Sequence, residues 1–232
     1  RNATVGAFRA AAASRAADAP MLLDGWHLVE DARRAHLALT LAAVASSRLE
    51  ADASLAALAS AIARQGARVL SVTDGVMDVI SPVSSPSGIV ALAERPAITL
   101  DDVLARPPRL VIGLVDLQDP GNVGGVIRTA DAAGASGVVA AGQCADPYGW
   151  KALRGAMGGT FRVPVARASD PAAVVTHARA AGLTIVATAA GDGAPPWTMN
   201  LTQPTLVLIG GEGGGLPTAV VAAADETLSI PM

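Results

Sequence analysis

The sequence has a single cysteine, Cys144. One thiol closes no disulfide within the chain and supplies no cysteine-based zinc site, so a reducing cytoplasm is the expected setting. Aromatic residues are scarce: three Trp, two Phe and one Tyr in 232 positions. The core must therefore be built from Ala, Val, Leu and Ile. Lysine is scarcer still, with Lys151 alone beside sixteen arginines. A bias in coding composition accounts for that skew, as it does for the 51 alanines. No Gly-Lys-Ser or Gly-Lys-Thr occurs, which excludes a P-loop. No apolar run approaches the roughly 18 residues that span a bilayer; the longest, Leu37–Ser46, is short and carries polar residues. Charge is sparse as well, at 16% of positions with a net −3. That balance excludes a protein-wide basic field, so any nucleic-acid contact must be a local patch. His27, His36 and His177 lack metal-ligand spacing and read as surface or helix-face residues.

Hydrophobic residues make up 51% of the chain. That is enough for one large or two ordinary domains, and it excludes disordered, collagen-like and coiled-coil readings. Short β-branched runs alternate with Ala-rich helical ones. The pattern predicts helices over Val5–Ala17, Gly25–Ala35 and Ser54–Gln65, with strands at Leu37–Val44, Arg68–Val72 and Ile89–Ala93. This reads as an α/β/α unit over residues 1–95. Residues 96–108 read as a linker, because Arg95-Pro96 and Arg106-Pro107-Pro108 bracket a short acidic stretch. The alternation is cleaner over 109–232. Strands are predicted at Leu110–Asp116, Gly137–Ala141, Thr184–Ala189, Thr205–Ile209 and Glu226–Ile230, and helices at Asn122–Ala133, Pro171–Ala181 and Pro217–Ala223. Apolar strands separated by helices imply a parallel sheet buried on both faces. The fold class is α/β. The residue at position 1 is Arg rather than Met, so the sequence is expected to begin inside a longer chain.

Two constellations carry chemistry. Asp119-Pro120-Gly121-Asn122-Val123-Gly124-Gly125-Val126-Ile127-Arg128 follows an apolar strand and opens a helix. Ligands bind at that edge of an open α/β sheet, and glycines let backbone approach them. Asn122 and Arg128 are six residues apart, so they project at different angles, with Arg128 expected to reach over the same mouth. A dinucleotide-binding fingerprint fails, since the glycines at 121, 124 and 125 have the wrong spacing. Leu208-Ile209-Gly210-Gly211-Glu212-Gly213-Gly214-Gly215-Leu216-Pro217 is the second, five glycines around one carboxylate after a buried strand. Such a loop lets a flat ligand lie against backbone.

Together with Ile230-Pro231-Met232, these residues resemble the SpoU/TrmH family of RNA 2′-O-ribose methyltransferases, in the SPOUT superfamily. Its first motif, D-P-x-N-x-G-x-x-x-R, is matched by Asp119 to Arg128; its second, G-x-E-G-x-G-L, by Gly210 to Leu216; its third begins I-P-M. Asp146-Pro147-Tyr148, Lys151-Ala152-Leu153-Arg154 and Met157-Gly158 are similar to the family too. The likeness is strong over 109–232. More weakly, Leu22-Leu23-Asp24-Gly25 and Ser87-Gly88-Ile89-Val90-Ala91 resemble the ends of an accessory RNA-recognition domain, with Asp24 where Glu is usual. In the family the third motif runs on into a Ser-Leu-Asn helix that closes the cofactor site. This sequence stops at Met232, so its C-terminal end is expected to be missing.

The resemblance implies a deep trefoil knot, an exception to unknotted topology. It implies S-adenosylmethionine bound bent against the second and third motif loops, at Gly210, Gly211, Glu212, Gly213, Ile230 and Met232, with Thr188 at the end of the preceding strand. The reaction implied is transfer of a methyl group to a ribose 2′-hydroxyl. The family gives Arg128 a central role. A guanidinium, with a pKa above about 12, is a poor base; Arg128 is better suited to anchoring a phosphate and stabilising alkoxide charge, with Asn122 and Glu212 orienting it. Arg154 reads equally well as a phosphate ligand or as half of a structural salt bridge. Trp26, Trp150 and Trp197 are expected in core or dimer packing, since family members are homodimers, rather than stacked on bases. The basic surplus of residues 1–68, eight Arg against six acids, points to a folded RNA, ribosomal rather than transfer RNA. No metal and no membrane partner are expected. The competing readings are a catalytically inactive RNA-binding module of the same fold and a nucleotide-dependent oxidoreductase of doubly wound fold.

Overall fold

A computed structural model of the chain describes residues 3–14, 16, 18–107, 109–191 and 193–230. The first half comprises α1 (Ala3–Ala13), β1 (Met21–Asp24), α2 (Trp26–Arg34), β2 (Leu39–Ala45), α3 (Ser46–Ala51), α4 (Ala53–Arg64), β3 (Arg68–Val72), α5 (Asp74–Ile80) and β4 (Ile89–Ala93). Its strands form a mixed sheet in the order β1-β4-β2-β3, parallel only between β2 and β3. The second half comprises α6 (Leu100–Leu104), β5 (Leu110–Val115), α7 (Pro120–Ala132), β6 (Gly137–Ala141), α8 (Trp150–Ala156), α9 (Gly159–Arg162), β7 (Val165–Ala168), α10 (Pro171–Ala180), β8 (Thr184–Ala189), β9 (Thr205–Gly210), α11 (Thr218–Ala222) and β10 (Glu226–Ser229). Its six strands are all parallel, in the order β10-β8-β9-β5-β6-β7.

Local chemistry explains the helix starts. Asp119 and Asp170 each precede a proline that opens a helix, and each carboxylate accepts a backbone N–H of the first turn, Asn122 at 2.8 Å and Ala172 at 2.9 Å. Asp52 does the same for α4. The segment read as a linker is not featureless. Thr99 and Asp102 form a reciprocal capping box that starts α6, and Val103 and Leu104 are buried beneath the parallel sheet. Five residues are too few to show apolar periodicity, so the prolines dominate the sequence pattern there. The short strands β1 and β7 and the helices α3, α5, α8 and α9 also escape that pattern, for the same reason of length.

One buried cluster runs through both halves, from Met21, Leu23 and Val29 to Ile127, Leu153 and Val165. A second lies on the other face of the parallel sheet, around Val111, Ile185, Leu206 and Leu208. The halves are also joined by charge. Arg95 pairs with Asp146 at 2.7 Å, with both side chains largely shielded from water, and its guanidinium lies 5.8 Å from the centroid of the Tyr148 ring. The Tyr148 hydroxyl donates to the Val165 carbonyl at 2.8 Å, and burial pushes its pKa up to about 12. All three histidines are exposed, as their spacing implied. Trp26 and Trp150 are half-buried, but Trp197 is 75% exposed and packs in no core of this chain.

Two helices meet backbone to backbone. A Cβ on Gly124 of α7 would overlap the carbonyl oxygen of Ala152 in α8, and would lie 2.9 Å from both Ala156 N and Gly155 Cα. Gly124 therefore serves helix packing, not the close approach to a ligand that its motif suggests, while Gly125 faces open space. Gly124→Ala is expected to cost about 1–3 kcal/mol in urea unfolding, the range for overpacking a rigid contact, while Gly125→Ala is expected to stabilise by up to about 1 kcal/mol.

Glu30 offers a pH test. Its carboxylate accepts from Arg33 at 2.6 and 2.8 Å and from Arg34 at 2.7 Å. The Arg33 bonds, with help from Arg34, lower its pKa to about 2. The unfolded value is about 4.3, so the stabilisation is complete above that value and fades as pH falls towards 2. Glu30→Gln is expected to lower the urea midpoint modestly at pH 7, with the gap from the parent narrowing steadily between about pH 5 and pH 3.

Candidate active site

Parallel order places β5 beside β9, so their carboxyl ends share one edge of the sheet. Just past β5, Asp116 adopts a left-handed backbone with φ +56°. Its N–H donates to the Ala141 carbonyl at 3.1 Å, and its carboxylate accepts the Gln143 N–H at 2.7 Å. These bonds tie the loop after β5 to the loop after β6 and hold a strained residue at the sheet edge. Cys144 sits in the same tie, its sulfur 3.3 Å from the Leu117 N–H and 3.2 Å from the Ala141 carbonyl. Burial pushes its thiol pKa up, which favours the protonated form.

The loop after β9 doubles back on itself. The Gly215 N–H donates to the Gly211 carbonyl at 2.9 Å, and a Cβ on Gly210 would overlap the backbone of Gly215 and Leu216. A Cβ on Gly211 would come within 2.7 Å of the Asp116 carbonyl oxygen. The absence of side chains at both positions is thus a steric requirement of the loop's path. Between the two loops lies a cleft of about 450 Å³, lined by Asp116, Leu117, Gln118, Asp119 and residues 211–215, with Pro217 at one end. Across it, the Asn122 side-chain N–H donates to the Glu212 carboxylate. Asn122 is fixed by the cap that starts α7; Glu212 is exposed and fixed by the glycine turn.

Of the residues singled out in the sequence, Gly211, Glu212 and Gly213 line the cleft, Asn122 is tied to it through Glu212, and Gly210 lies just before it in the chain. Thr188 ends the neighbouring strand, where its hydroxyl donates to the Leu208 carbonyl at 2.9 Å, next to the cleft but outside its lining. Ile230 is 65% exposed beyond β10. Met232 lies outside the described residues. Arg128 stands about 1.7 turns along α7 from Asn122. It is exposed, makes no hydrogen bond or ion pair, and is not part of the cleft lining. Arg154 is likewise exposed and makes no close ion pair, although its charge acts on the Asp24 carboxylate. It faces a different cavity, of about 630 Å³, shared with Asp24 and Trp26. Asp119, which opens the first constellation, lines the cleft, and so do Asp116 and Gln118, which were not singled out. Their signal in the sequence was position alone, the first residues after an apolar strand. Among the described residues no cluster of His, Cys, Asp and Glu is placed to hold a metal ion, and no helix is long and apolar enough to cross a membrane.

The pattern of the SpoU rRNA Methylase family matches residues 109–232. A 23S rRNA (uridine(2479)-2′-O)-methyltransferase of Streptomyces viridochromogenes is 36% identical over 164 residues, 68% of this chain and 57% of that protein. The 23S rRNA (guanosine(2553)-2′-O)-methyltransferase RlmP of Bacillus subtilis is 29% identical over 213 residues, 91% of this chain and 79% of that one. The chain thus spans little more than half the length of the first of these relatives. Among solved structures, an AdoMet-bound rRNA methyltransferase from Sinorhizobium meliloti superimposes with a TM-score of 0.85 at 29% identity, covering 100% of this chain and 86% of that one.

The glycine turn is testable without any ligand. Gly210→Ala is expected to open it, so that the Gly215 amide loses protection in hydrogen exchange while amides of β5 and β6 keep theirs.

Proposed function

Because the chain belongs to the SpoU rRNA Methylase family, we propose that it transfers a methyl group from S-adenosylmethionine to a ribose 2′-hydroxyl of a folded RNA, ribosomal rather than transfer RNA. The observation that carries this reading is the Asn122–Glu212 hydrogen bond across a glycine-walled cleft at the sheet edge. The residues fit the cofactor. Gly211 and Gly213 line the cleft with backbone that a flat ring can lie against, and Gly210 holds the path of the loop that presents them. Thr188 and Ile230 belong to the segments that complete that wall; the family resemblance also assigns Met232, which lies outside the described residues.

When bound, S-adenosylmethionine supplies an already activated methyl group. The protein's task is then positioning and help with one proton. Glu212 holds Asn122 in one rotamer, so its amide oxygen stays available to a hydroxyl at the cleft mouth. Arg128, exposed and unpaired, anchors the phosphate next to the reacting ribose and stabilises negative charge as the hydroxyl loses its proton. As a guanidinium it remains charged throughout. Arg154 is free to take a further phosphate.

Residues 1–95 serve as an accessory RNA-recognition domain, 96–108 as the connector and 109–232 as the methyltransferase domain. The latter carries a deep trefoil knot. The strand order β10-β8-β9-β5 supports this, as does the packing of Gly193 against the backbone of Leu228 and Ser229, which keeps the segment after β8 against the last strand. The protein acts as a homodimer in the cytoplasm; exposed Trp197 is suited to a subunit contact.

Labelled S-adenosylmethionine, offered with unmodified ribosomal and transfer RNA, tests the reading. Label is expected in ribosomal RNA, reduced about a hundredfold or more by Arg128→Ala with cofactor affinity retained. Absence of both label and cofactor binding in the parent protein would refute it.

A further inference from the structure

A cavity of about 710 Å³ adjoins the candidate active site and shares Gln118 with it. It lies between the end of α1, the loop after β6 and the start of α8, and it holds the chain's one lysine. Lys151 makes no ion pair; its ammonium lies 5.5 Å from the centroid of the half-buried Trp150 ring. Arg167 is 40% exposed and reaches only Asp146, at 3.9 Å. That carboxylate is already engaged by Arg95 at 2.7 Å and by the Tyr148 N–H at 3.1 Å, so its charge is largely spoken for. The side-chain amides of Gln118 and Gln143, both exposed, make no hydrogen bond within the protein. Two cations and two idle carboxamides therefore face one cavity, whose wall also holds the Asp146 carboxylate paired with Arg95, on a protein whose net charge is −3.

We propose that this cavity is an RNA subsite, one nucleotide removed from the reacting ribose: Lys151 and Arg167 bind its phosphate, and Gln118 and Gln143 read its base edge. The proposal rests on the RNA methyltransferase reading above. Carboxamides present a donor and an acceptor side by side, as a base edge does, and cations at the rim match a phosphodiester. Because Gln118 borders both cavities, a strand whose ribose meets Asn122 and Glu212 continues directly into this one. Trp150 and the end of α1 supply its floor. Lys151 and Arg167 are thus positioning residues for the strand.

The test uses the full chain with unmodified 23S ribosomal RNA transcript and labelled S-adenosylmethionine. Lys151→Gln and Arg167→Gln are each expected to raise the KM for RNA about tenfold, with kcat changed far less and cofactor Kd unchanged. Each should also make the dependence of log affinity on log salt shallower by about 0.7–1. Lys151→Arg should restore most of the affinity. An unchanged RNA KM in both Gln variants of an active enzyme would overturn the subsite, and so would a KM rise accompanied by weakened cofactor binding. If the parent protein methylates no RNA, the function itself fails and the subsite with it.

Discussion

The contact between Gly124 of α7 and the backbone of Ala152 in α8 is the constraint on which the rest of the site depends. It leaves no room for a single added carbon, so the two helices sit at the distance backbone allows. That distance fixes where α7 points Asn122 and Arg128 and where α8 points Lys151 and Arg154. The same helix α8 packs on β1 of the first sheet. One small-residue contact thereby couples the reactive edge to the other half of the chain, and the Arg95–Asp146 pair locks the arrangement from the other side.

Parallel pairing does the remaining work. Asn122 and Glu212 are 90 positions apart, yet β5 and β9 lie side by side and run the same way, so their following loops meet. One loop is made rigid by a capped helix start and the other by a turn that only glycine can follow. The cleft between them is polar at its mouth and bare backbone at its wall. This suits a ligand recognised by shape and main-chain hydrogen bonds.

Cations on this chain divide into two groups. Arg33, Arg34, Arg95, Arg162 and Arg179 are spent on carboxylates and hold helices or halves together. Arg128, Arg154 and Lys151 are among those left without an ion pair. An acidic protein binds a polyanion through such cations, because phosphate affinity comes from local, unneutralised charge and not from the net value.

Much of this was legible in the sequence. The α/β class, the parallel sheet and the strands at Gly137–Ala141 and Thr184–Ala189 follow from apolar period and length. Asp-Pro marks the starts of α7 and α10, because a carboxylate cap and a proline both favour a first helical turn. The order of Asn122, Arg128 and the loop around Glu212 pointed to the family that the comparisons bear out. Other features depended on neighbours distant in sequence. A glycine in a motif does not tell whether it serves a helix contact or a turn, so Gly124 and Gly210, alike in their motifs, parted only when their surroundings were in place. The same holds for charge: whether an arginine is paired depends on which carboxylates folding brings near it, and this separates Arg95 from Arg154. The short elements β1, α6 and β7 are held by burial against a sheet and by caps, which act over too few residues to leave a period. Periodicity and turn chemistry are local and determine elements; packing and electrostatics are non-local, and only the tertiary structure decides which glycine, which cation and which loop form the site.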